Sequence, residues 1–176
     1  NATDGATPPN AAIQRTRTVN VVDTQRPVIR LVGDETVNFV VNTGSYVDDG
    51  ATATDNYYSD SLVTSQIHTA YSPHDIITTA LGTYTVTYSL TDDSGNNAYD
   101  VTRTVNVVDT APSIIITGGS IVNVNLGDPY TELGATATGQ LEGSLTVTTY
   151  TGDVNTSKMG TYKVSYTATN SVGSTT

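Results

Sequence analysis

The chain has 176 residues, room for one large domain or two of about 85. Seven Lys and Arg stand against seventeen Asp and Glu, a formal net charge of −10, which argues against nucleic acid, whose partners need a basic face, and against anionic membrane surfaces. There is no cysteine, so neither a disulfide framework nor thiol chemistry is available, and no apolar run is long enough to span a bilayer.

Thr makes up about one residue in five, with Val, Ile and Tyr plentiful, the composition of pleated, half-buried surfaces. Leu, Lys, Glu and Met are scarce, and no run has apolar residues at helical spacing. The expected fold class is all-β, as tandem immunoglobulin-like sandwiches. In chain order, residues 13–22 read as a strand and Asp23-Thr24 as a linker. Residues 27–31 and 35–41 read as strands, the second with Val37, Phe39 and Val41 on one face. A turn follows at residues 42–44. Residues 83–91 are the clearest strand, placing Tyr84, Val86, Tyr88 and Leu90 on one face and Thr83, Thr85, Thr87 and Ser89 on the other. After a turn at residues 92–97, residues 99–108 form the next strand, with Val105 and Val107 inward. The pattern restarts with strands expected at residues 112–116, 121–125, 144–149 and 161–169.

This restart is an internal repeat. The nonapeptide TRTVNVVDT occupies residues 16–24 and, identically, residues 102–110. Residues 44–54 match residues 127–138, and GTYTVTY at residues 82–88 matches GTYKVSY at residues 160–166. The offsets place about six extra residues of the first repeat between Asp55 and Gly82. Three segments result: residues 1–23 as an N-terminal strand segment, 24–109 as the first Ig-like domain, and 110–176 as a second that lacks its final strand.

These residues resemble the bacterial and archaeal surface-protein Ig-like repeats related to the hyalin-repeat group. The family pattern runs D-T-x-x-P, G-x-Y-x-D-x-G-A-T-A-x-D, G-T-Y-x-V-x-Y-x-x-x-D-x-x-G-N and a closing R-x-V-x-V. The first repeat matches it through Asp23, Thr24, Pro27, Tyr46, Gly50, Asp55, Gly82, Tyr84, Gly95, Asn96 and Arg103. The second departs at Gly139 and Asn170, both Asp positions in the family. The resemblance implies stalks, adhesins and S-layer-like arrays at the cell surface, and no catalysis.

A sandwich short of one strand offers a groove and unpaired edges to a strand from another chain. Residues 13–22 have the sequence of such a strand. Ile13, Arg15, Arg17, Val19 and Val21 are the expected donor residues, and Tyr162, Val164 and Tyr166 the expected acceptor groove. The expected partners are therefore identical subunits, joined head-to-tail into an extracellular homopolymer. A stalk segment of a larger adhesin or S-layer protein and a carbohydrate- or ligand-binding module are the alternative readings.

Other candidate sites are sparser. Asp23 and Asp109 at the linkers, Asp48, Asp49 and Asp55 in the first loops, and Asp92 and Asp93 in the late turn offer hard oxygen ligands for calcium. No other cofactor is expected. Asn1 and Asn155 head N-glycosylation sequons. Tyr57 and Tyr58 are candidates for an exposed patch that meets surface glycans. His68 and His74 fall in the first repeat's insertion without any nucleophile-elbow or zinc motif around them.

Overall fold

The computed structural model describes residues 4–8 and 12–171; the sequon at Asn1 lies outside them. The first unit is a sandwich. Its larger sheet holds β2 (Thr36–Val40), β6 (Val101–Val108), β5 (Gly82–Ser89) and β4 (His68–Ser72), in that order. Its smaller sheet pairs β1 (Val28–Leu31) with β3 (Ala51–Thr54).

Alternation builds the core. Along β5, Tyr84, Val86 and Tyr88 are buried and the threonines between them are not, and Leu90 just beyond continues the buried row. Along β6 the buried row is Arg103, Val105 and Val107. Ile29 of β1 and Ala53 of β3 close the same core from the opposite sheet. Val41, Val63, Val86 and Val105 are fully buried, each contributing roughly 1.5–3 kcal/mol.

The extra residues of the first repeat are more than a loop. They form a short helix, α1 (Asp60–Ser65), and β4, which extends the sheet beyond β5. The helix is too short for periodicity to reveal it. It is held by burial of Val63 and by Thr64, whose hydroxyl bonds both the amide and the carbonyl of Ala53.

The second unit pairs β7 (Ser113–Ile116), β8 (Ala135–Gly139) and β9 (Gly143–Leu145) in one sheet, and β10 (Thr148–Tyr150) with β11 (Ser165–Thr167) in another. Three expected strands come out differently. Residues 121–125 form no strand, residues 144–149 split between β9 and β10, and residues 161–169 keep only β11. The reason lies in the role of β6, which pairs with β2 in parallel and with β5 antiparallel. Among the described residues nothing occupies the β6 position of the second unit, so the counterpart of β2 has no strand beside it and the counterpart of β5 keeps only β10. Unpaired backbone does not hold a ladder. The unit's buried apolar residues are correspondingly few, Ala137 and Ala168 among the described residues. The units also touch: Leu141 packs on the first unit's core, and Asn42 Nδ2 donates to the Gln140 carbonyl at 2.8 Å.

Candidate functional site

An arginine on the inward face of a strand is costly unless every donor is satisfied. Arg103 is fully buried, and its guanidinium fills a socket at the edge of the first core. Nη1 lies 2.6 Å from Asp48 Oδ1 and donates to the Tyr88 hydroxyl at 3.1 Å. Nε donates to the Asp34 carbonyl at 2.9 Å, and Nη2 to the carbonyls of Val32 and Gly50. Asp48 also accepts from the hydroxyls of Tyr46 and Tyr88 and from the Gly50 amide. Burial raises the Asp48 carboxyl, but the bonds from Tyr88, Arg103, Gly50 and Tyr46 outweigh it and hold it below the usual range. Burial and the Asp48 bond push the Tyr46 phenol up to about 12. The Tyr88 phenol rises for the same two reasons.

The second unit repeats this socket without the arginine. Glu132 accepts from the hydroxyls of Tyr130 and Tyr166, the latter at 2.5 Å, and from the Gly134 amide at 2.7 Å. The backbone frame matches as well: Thr117 N bonds Gly134 O at 2.9 Å, as Val32 N bonds Gly50 O at 3.0 Å. Bonds from Tyr130, Tyr166 and Gly134 keep the Glu132 carboxyl below its usual range. Arg103 and Asp48 form an ion pair; among the described residues Glu132 has no cationic partner.

Beside Glu132 runs an open groove of about 550 Å³. Tyr162, Val164 and Tyr166 all line it, together with Ile121, Val124 and Met159. Ile121 and Met159 are 82% and 89% exposed. Residues 12–22 pair with no strand, and Arg15 and Arg17 are exposed. Ile13, Val19 and Val21 are 80%, 74% and 95% exposed.

Of the seven candidate calcium ligands the fold gathers three. Asp23, Asp55 and Asp92 each bring one carboxylate oxygen within 4.8 Å of the others'. The Oδ1 atoms are tied locally: Asp23 to the Gln25 amide, Asp55 to the amides of Tyr57 and Tyr58, Asp92 to the Asn96 amide. Oδ2 of Asp23 and Oδ2 of Asp55 are sealed from solvent and lack a hydrogen-bond partner. Asp92 is buried; burial raises its carboxyl, but bonds from the Asn96 side chain and the turn amides outweigh that and lower it. The other four lie apart from this trio. Asp48 belongs to the socket, Asp49 lies against Gly33, Asp93 accepts from Gln66 at 2.7 Å, and Asp109 meets Asn170.

That last contact involves one of the second unit's two departures from the repeat pattern. Gly139 stands at the Asp55 position and Asn170 at the Asp92 position. The Asn170 amide donates to Asp109 Oδ2 at 2.7 Å and to the Thr110 carbonyl at 2.8 Å. A neutral donor there hydrogen-bonds Asp109 where the first unit has a further carboxylate.

The remaining candidates sit on the surface. Asn155 is exposed in a turn, its side chain accepting from the Ser157 amide. Tyr57 is exposed, while Tyr58 is half-buried, edge-on to Tyr57, and shares a hydrogen bond with Ser94. His68 is exposed on β4, and His74 packs edge-on against Tyr84. Arg103 and Asp48 as a pair were missed by sequence reasoning. The available signal was a charged residue in phase with Val105 and Val107.

A family model for the Ig-like domain of bacterial surface proteins matches residues 29–107 and again residues 114–176. The chain belongs to that family. The bacterial surface Ig-like match covers both units, including the socket carboxylates at Asp48 and Glu132. No curated protein sequence matches the chain. Among solved structures, a lipoprotein from Bacteroides thetaiotaomicron is similar at 18% identity and a TM-score of 0.39, covering 85% of this chain and 76% of its own. Among the described residues no helix is long and apolar enough to cross a membrane.

Proposed function

We propose that the chain is a structural subunit of an extracellular bacterial filament, joined head-to-tail by strand addition. The observation that carries this reading is the presence of both an open groove in the second unit and an unpaired segment, residues 12–22, whose residues 16–22 repeat residues 102–108 of β6. In the first unit β6 bridges two strands and supplies the inward row. The same row from a second copy would restore both lost ladders of the second unit and bury Ile13, Val19 and Val21, at roughly 1.5–3 kcal/mol each. The contact is heterologous and propagates.

A second reading keeps the same physics within one polypeptide: a spacer in a longer surface protein, each sandwich closed by a strand of the β6 type. It is favoured by the way β6 runs straight into β7, with Asn170 bonding across the junction to Asp109 and Thr110. Sedimentation and electron microscopy of the full chain, with and without residues 1–23, separate the two. Filaments that vanish on deletion support the first reading, and a monomer unchanged by deletion supports the second.

Calcium fits this structural role in the first unit. Three carboxylates converge where Asp23 leads into the sandwich, two with sealed, unpartnered oxygens, the donor type that hard cations take. An ion there would fix the entering segment against the turns that hold Asp55 and Asp92.

A further inference from the structure

We infer that Glu132, Tyr130 and Tyr166 form a receptor for one arginine, and that its occupant is Arg17 from residues 12–22 of a second copy. The inference rests on the strand-addition reading and adds to it the residue that sets register.

Three observations carry it. The socket is present in duplicate. Tyr46 and Asp48 correspond in spacing to Tyr130 and Glu132, Tyr88 to Tyr166, and the Gly50 amide to that of Gly134. The ligand is present in duplicate too: residues 16–24 and 102–110 are identical, so Arg17 stands where Arg103 stands. One socket holds its arginine at 2.6 Å. The other places a carboxylate, two phenols and the Thr117–Gly134 backbone frame beside an open groove.

Charge and register point to the same occupant. The carboxylate of Glu132 is kept ionised by three donors and has no cation among the described residues, so a guanidinium entering there gains charge-assisted bonds. Its rigid fork matches a carboxylate and flanking carbonyls better than an ammonium does. With Arg17 seated, Val19 and Val21 fall in the inward positions that Val105 and Val107 hold in the first unit. A slip by one residue would turn all three outward. A two-residue slip would offer Arg15 to the receptor but would carry Arg17 into the buried apolar position that Val105 holds in the first unit, so receptor and apolar row agree only with Arg17 seated.

The test uses the full chain at dilute concentration and a labelled synthetic peptide of residues 12–24 as probe, followed by fluorescence anisotropy. The unmodified peptide should bind. Arg17→Ala in the peptide should weaken binding at least about 30-fold, and Arg17→Lys about tenfold. Glu132→Gln in the chain should weaken the unmodified peptide but add little to the loss already caused by Arg17→Ala, the signature of a coupled pair. Equal binding of the unmodified and Arg17→Ala peptides overturns the receptor and leaves strand addition standing. No binding of any peptide overturns strand addition, and the receptor with it. Should Glu132→Gln fail to fold, the peptide series on the unaltered chain decides alone.

Discussion

Arg103 Nη1 lies 2.6 Å from Asp48 Oδ1, with the arginine side chain fully buried and the aspartate side chain 9% exposed. This pair ties β6 to the loop before β3, and so joins the two sheets of the first sandwich at one end. Buried pairs of this kind add little net stability over an apolar replacement, but breaking one by removing a single partner is costly.

Asp48→Ala should therefore destabilise the first unit by about 3–5 kcal/mol, because it strands a buried guanidinium. Arg103→Met should cost less, since Asp48 keeps its bonds from Tyr46, Tyr88 and the Gly50 amide. Urea unfolding followed by circular dichroism measures both, and equal losses would contradict the argument.

The socket also sets the pH limits of the fold. Asp48 is held below its ordinary 3.8, so its contribution is present above the unfolded value and is lost as pH falls through the folded one. Tyr46 works in the opposite sense. Its phenol rises from 10.0 to about 12, so its contribution is intact below pH 10 and is lost as pH climbs towards 12. Melting temperature should be flat near neutrality and fall on both sides. Tyr46→Phe should reduce the alkaline fall; an unchanged alkaline limb would count against the socket as its source.

Calcium should raise the melting temperature of the first unit, and chelation should reverse the rise. Terbium offers a sharper readout, because Tyr57 and Tyr58 follow Asp55 closely enough to sensitise its luminescence. Asp55→Asn should abolish both signals. Luminescence that persists in Asp55→Asn would place the ion elsewhere.

Val63 is the single buried residue of α1. Val63→Ala should cost about 2 kcal/mol, from two lost methyl groups and the cavity they leave. Hydrogen exchange should then rise first at Thr64 and Ala53, whose bonds hold the helix to β3. Exchange that stays slow at Ala53 would show that the helix is anchored by something other than Val63.

The sequence by itself determined the all-β class, the repeat, and four strands of the first unit, β1, β2, β5 and β6, but not β3 or β4. Each of these is local. Alternation along residues 83–90 names the buried face without reference to any partner, and an identical nonapeptide marks a repeat wherever the copies sit. The sequence also marked the tyrosines Tyr162 and Tyr166 that line the groove. What it could not show was pairing across distance. Residues 121–125 alternate as well as residues 36–40 do, yet only the latter form a strand, because a ladder needs a neighbour and only the latter lie beside β6. Asp48 and Asp55 looked alike as loop acids seven residues apart. Tertiary structure gave one to an arginine and the other to a trio of carboxylates, because charge partners are chosen by which strands meet rather than by spacing along the chain.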